Sequence, residues 1–114
     1  GIEPKDALWY IPAYEHYNRE NVALLNAYGL KTFNYTPGTG TPADYTVPSM
    51  KNYKPSQQLI EGLYAFEKEK GLGGAIILIH PGISVERPDP LYERLDEIIR
   101  TMKKKGYRFE SFKN

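Results

Sequence analysis

The sequence predicts an α/β fold built from parallel β/α units, and three observations predict it. Short apolar runs at residues 7–11, 31–34, 75–79 and 107–112 alternate with segments whose apolar residues recur every three or four positions. The third run, Ala75-Ile76-Ile77-Leu78-Ile79, has no polar face, which marks a strand covered on both sides as in a parallel sheet. Alternation of strand and helix implies right-handed crossovers between parallel strands. A length of 114 residues is enough for one domain and not for two, so a single, partial domain is expected. Four strands and three helices fall short of a closed eight-fold barrel, which needs about 250 residues. The expectation is a small open sheet or part of a larger barrel.

Each element has its own signal. Ala7-Leu8-Trp9-Tyr10-Ile11 is a short strand stopped by Pro12. Asn18 is a helix N-cap, and the helix runs through Val22, Leu25 and Tyr28 to Gly29. Lys31-Thr32-Phe33-Asn34 is the second strand. Residues 35–55 show no period and are rich in Gly, Pro and Thr; so long a loop inside a compact domain is functional or disordered. Ser56 caps the next helix, whose stripe is Leu59, Ile60, Leu63, Tyr64 and Phe66, ended by Gly71 and Gly73-Gly74. After the third strand, His80-Pro81-Gly82 turns the chain. Asp89-Pro90 starts the last helix as N-cap and first-turn proline. Leu91, Leu95, Ile98, Ile99 and Met102 form its stripe, and Gly106 precedes the alternating final strand.

Composition excludes several classes of function. Fifteen basic and fourteen acidic residues give a net charge of +1, too little to draw in nucleic acid or an anionic membrane. Lys103-Lys104-Lys105 complements the dipole at a helix end. The aromatic residues are not interleaved with a basic stripe, which also argues against nucleic acid. No stretch approaches the roughly 20 apolar residues of a membrane span. There is no cysteine, and two distant histidines make no metal signature. No phosphate-binding loop or nucleophile elbow occurs. Ten Tyr, four Phe and one Trp favour a binding surface. The chain opens Gly1-Ile2-Glu3-Pro4 without Met, which reads as a cut boundary.

In parallel β/α folds chemistry collects on loops after the strands' C-terminal ends. Those loops begin here at Pro12-Ala13-Tyr14-Glu15-His16, at Tyr35-Thr36-Pro37-Gly38 and at His80-Pro81-Gly82. His80 is the sharpest candidate, because it follows five apolar residues and imidazole ordinarily titrates near pH 6.5, suiting it to acid or base work. The bland alternative is a histidine that closes a strand by hydrogen bonding. His16 lies in a polar loop and reads as solvated.

These residues together resemble the C-terminal half of the polysaccharide deacetylase domain, the NodB-homology or carbohydrate esterase family 4 type. Ile77-Leu78-Ile79-His80 resembles the family's closing Leu-x-His motif. Leu91 to Phe112, with Lys105-Gly106-Tyr107-Arg108-Phe109, resembles its terminal helix and strand. Tyr10 to Asn18 resembles its Arg-Pro-Pro-Tyr-Gly segment, and Asp44-Tyr45 resembles its Asp-Trp motif. The resemblance spans nearly the whole chain.

The resemblance implies a distorted (β/α) barrel and hydrolysis of acetyl groups on a polysaccharide or amino sugar. It implies His80 as the acid that protonates the leaving group, and Asp44 as the residue that orients it. Pro12, Tyr14, Glu15 and Tyr45 would bind substrate, with Tyr45 stacking on the sugar. A divalent metal, usually zinc, would polarise the acetyl carbonyl. The family's Asp-Asp and His-x-x-x-His motifs, which supply the base and the metal ligands, are absent here and would lie upstream of Gly1. The expected cofactor in this chain itself is therefore none, and the chain alone is expected to be inactive.

Four departures from the family pattern matter: Ile11 stands where the family has Arg, Ala13 where it has Pro, Glu15 where it has Gly, and Tyr45 where it has Trp. They keep two other readings open. One is a degenerate, non-catalytic carbohydrate-binding module of the same fold; the other is an unrelated β/α interaction domain. The expected partner is an acetylated polysaccharide or oligosaccharide. A half-barrel exposes a sheet edge, so self-association or pairing with the missing half is also expected. Family likeness implies a secreted or periplasmic protein.

Overall fold

The computed structural model describes residues 9–10 and 18–111. The chain divides into two compact units, Gly1–Asn34 with Ser111–Asn114, and Tyr35–Glu110.

The first unit contains strand β1 (Trp9–Tyr10), helix α1 (Arg19–Ala27) and strand β2 (Lys31–Thr32). The strands pair in parallel, Trp9 opposite Lys31 and Tyr10 opposite Thr32. This is the only sheet among the described residues. Asn18 caps α1: its backbone is extended and its side-chain oxygen accepts the Asn21 N–H at 2.8 Å. The helix closes with two bonds, Gly29 N–H to the Asn26 carbonyl and Leu30 N–H to the Leu25 carbonyl, both 3.0 Å. Such a closure needs a left-handed residue, and Gly29 at φ 80° supplies it without steric cost. The helix buries no residue fully, and Leu24 and Tyr28 are exposed.

The second unit holds the core. Helix α2 (Ser56–Lys70) presents Leu59, Ile60 and Leu63 to Leu91, Ile98 and Met102, of which the last two belong to helix α3 (Leu95–Lys104). Each such side chain contributes about 1.5–3 kcal/mol on full burial. Ala43, Tyr64, Leu72, Ile77, Ile79 and Tyr107 pack around this cluster. The far ends of the two helices are tied together. Lys105 Nζ lies 3.0 Å from Glu67 Oε2, and the Tyr107 hydroxyl donates to Glu67 Oε1 at 3.1 Å while accepting the Leu72 N–H at 3.0 Å.

Both expected caps in this unit differ. Asp89 does not cap its own helix: a 3₁₀ turn (Leu91–Arg94) precedes α3, and Pro90 is its cap residue. The Asp89 carboxylate caps α2 instead, Oδ2 accepting the Ser56 N–H at 2.6 Å. Pro55 is the N-cap residue of α2 and has no polar side chain, so the free amide at that end needs an acceptor from elsewhere. Ser56 sits inside the helix, and its hydroxyl donates to the Asp89 carbonyl.

Residues 75–79 also differ from the expected two-faced strand. They are half-buried, and no ladder forms there among the described residues. Ile77 and Ile79 face the core. The backbone of residues 76, 78 and 80 is instead bonded to residues 36–44. Thr36 N–H donates to the Ile76 carbonyl at 2.8 Å, and Ile76 N–H donates to Thr36 Oγ1 at 2.9 Å. Pro37 and Pro42 lack the N–H that a ladder would require, and threonine and aspartate side chains take its place. Residues 107–111, expected as a final strand, likewise form none.

Candidate functional site

The irregular segment 35–55 carries the site. Gly40, left-handed at φ 82°, turns the chain into a 3₁₀ helix (Thr41–Tyr45), with Pro42 in its first turn. Asp44 lies on this helix, fully buried, and one residue receives its whole carboxylate. Oδ2 accepts the His80 backbone N–H at 2.7 Å, and Oδ1 accepts from His80 Nδ1 at 2.5 Å. A carboxylate has only acceptors to offer, so the Nδ1 proton faces Asp44 and Nε2 is left as the unprotonated nitrogen of the neutral ring. The His80 side chain is 35% exposed against 1% for Asp44. The Tyr45 ring meets the imidazole edge-on, centroids 6.1 Å apart and planes at 79°, and is itself half-exposed.

The helix bearing Asp44 is anchored at both ends. At its start, Thr41 Oγ1 donates to the Leu78 carbonyl at 2.8 Å, and Thr39 Oγ1 lies 3.3 Å from Thr41 Oγ1. At its end, the Thr46 hydroxyl donates to the Ala43 carbonyl at 2.7 Å. Behind it stands Arg87, a buried guanidinium with every nitrogen engaged. Nη1 donates to the Thr46 carbonyl at 2.8 Å, Nη2 to the Lys54 carbonyl and Ser56 Oγ at 3.0 Å each, and Nε to the Asp89 carbonyl at 3.1 Å. Asp89 Oδ1 accepts the Tyr53 hydroxyl at 3.0 Å. Burial, reinforced by that bond, holds the Tyr53 phenol above its ordinary value.

The structure thus brings Asp44, Tyr45 and His80 together. Pro12, Tyr14 and Glu15, and the neighbouring His16, lie outside the described residues. Thr41, Thr46 and Arg87 escaped the sequence reading. Thr41-Pro42-Ala43-Asp44 has the local form of a helix start, but Thr41 spends its hydroxyl on a carbonyl 37 residues away. Arg87 has no periodic signal at all.

Among the described residues no three His, Asp or Glu side chains converge as metal ligands, and the Asp44 carboxylate is already engaged by His80. The described donor set therefore does not fit a divalent metal. Among the described residues no helix is long and apolar enough to cross a membrane. Compared with family models, with curated proteins and with solved structures, the chain finds no match.

Proposed function

We propose that Asp44 and His80 form the proton-donating pair of a carbohydrate deacetylase, a hydrolase that removes acetyl groups from a polysaccharide or amino sugar. One observation carries the reading: a buried carboxylate bonded to both the main-chain N–H and Nδ1 of a single histidine whose ring is partly exposed. The carboxylate sets the ring's orientation through Nδ1 and the main-chain N–H. Protonated His80 then carries an Nε2 proton on the side away from Asp44. As water adds to the acetyl carbon and the bond to sugar nitrogen or oxygen breaks, that proton passes to the leaving atom. The exposed Tyr45 ring beside His80 offers a face for a sugar. The order of the four resembling motifs supports the same reading, with a barrel fold. The base and the divalent metal, zinc by resemblance, belong to residues outside this chain, whose upstream half is part of the proposal.

A second reading is favoured by Ile11, which stands where the family's Arg braces the catalytic base. It makes the protein a carbohydrate-binding module without turnover. Acetate release from acetylated chito-oligosaccharide and acetylated xylan by the full-length protein separates the two. Under the first reading the protein releases acetate, and His80→Ala slows release by roughly 10²–10⁴-fold, the worth of a general acid. Saturable glycan binding without acetate supports the module; neither binding nor release overturns both.

A further inference from the structure

We propose that Thr41 is the positioning residue of the Asp44–His80 pair, setting the register in which carboxylate and imidazole meet. The proposal deepens the reading of that pair as the acid centre and rests on it.

Thr41 and Asp44 stand three residues apart on a 3₁₀ helix, where residues i and i+3 eclipse. Leu78 and His80 stand two apart in the facing segment, whose alternate residues point the same way. Three residues of 3₁₀ helix rise about 6 Å, and two residues of extended chain span about 6.6 Å. The two spacings match, so the helix lays two polar rungs on the facing backbone. One is Thr41 Oγ1 to the Leu78 carbonyl, and the other is Asp44 Oδ2 to the His80 N–H. Thr36 already holds Ile76 through two bonds, so without the Thr41 rung it is the stretch from Ile77 to His80 that can twist between that anchor and Asp44. With both rungs it is fixed, and the Nδ1 contact follows. A slip of one residue would turn the His80 side chain to the opposite face.

Thr41 is built for this. It is 1% exposed, so water does not compete for the Leu78 carbonyl. Its single proton is committed there, which makes Thr39 the donor in the 3.3 Å contact between the two hydroxyls. The buried Thr39 hydroxyl polarises that of Thr41 and strengthens the rung.

The test is NMR of the His80 ring in the ¹⁵N-histidine-labelled chain, assigned against His16→Gln. The wild-type chain should show a slowly exchanging Nδ1–H proton far downfield. Thr41→Val, which keeps the side-chain shape without the hydroxyl, should lose that resonance, and Thr41→Ser should keep it. Tyr107→Phe, which removes the hydroxyl bonded to Leu72 and Glu67, should leave the resonance in place. Should Thr41→Val fail to fold, Thr39→Val should move the resonance upfield. An unchanged resonance in Thr41→Val or in Thr39→Val overturns the proposal, as does equal loss in Tyr107→Phe. No substrate is needed, so a protein that releases no acetate defeats the functional reading without touching this result.

Discussion

Asn at position 44 has nearly the shape of Asp but presents an N–H₂ to one of two donors. The His80 amide and Nδ1–H occupy both carboxylate oxygens, so one of them would face a donor in a buried site. Asp44→Asn should therefore destabilise the chain by about 1–3 kcal/mol in urea denaturation. It should also lower acetate release by the full-length protein by roughly 10²–10⁴-fold, the loss expected when a general acid is misoriented. At this scale the sequence is half legible. His80 declares itself by following five apolar residues, whereas Asp44 stands in a stretch without period and is reached only through a resemblance. Its partner lies 36 positions away, beyond any local pattern.

Helix α2 begins at a proline cap and borrows its acceptor from Asp89. Asp89→Ala should release the Ser56 N–H and the Tyr53 hydroxyl together and cost about 1–2 kcal/mol, the range of a lost N-cap. Equilibrium denaturation should show a lower midpoint at an unchanged m-value. The three helices are legible because their apolar stripes repeat locally. Their caps are less so, since cap rules look only three residues ahead. The reach of Asp89 to Ser56 spans 33. Residues 75–79 mislead for a related reason. A continuous apolar run describes both faces of a strand, but Pro37 and Pro42 on the neighbouring segment deny it a ladder.

The second unit as a whole has two titrating fasteners at opposite ends of the pH scale. The bond to Lys105 is the main cause that holds the Glu67 carboxyl below its ordinary 4.5. Its contribution is complete above pH 4.5 and is lost as pH falls through the lowered value. Tyr53, held above its ordinary 10.0, contributes fully below pH 10 and loses that contribution as pH rises through the raised value. Melting temperature against pH should then fall less on the acid side in Glu67→Gln than in wild type, and less on the alkaline side in Tyr53→Phe. Loss of the limb in the wrong variant would refute the assignment.

The bonds around Asp44 have a consequence for how the chain acquires its shape. Thr41 to Leu78, Asp44 to His80, Thr46 to Arg87 and Ser56 to Asp89 span 37, 36, 41 and 33 residues. Closing a loop of that size costs about 3 kcal/mol in chain entropy, but the cost falls mainly on the first bond, because it brings the others within reach. A growing chain that has reached residue 70 already holds Asp44, Thr46 and Ser56, all without their partners. Residues 76–89 then supply every missing partner within a few seconds of synthesis at most. The pair is thus a late product of chain synthesis, closed only after the helix that separates Asp44 from His80 has been made.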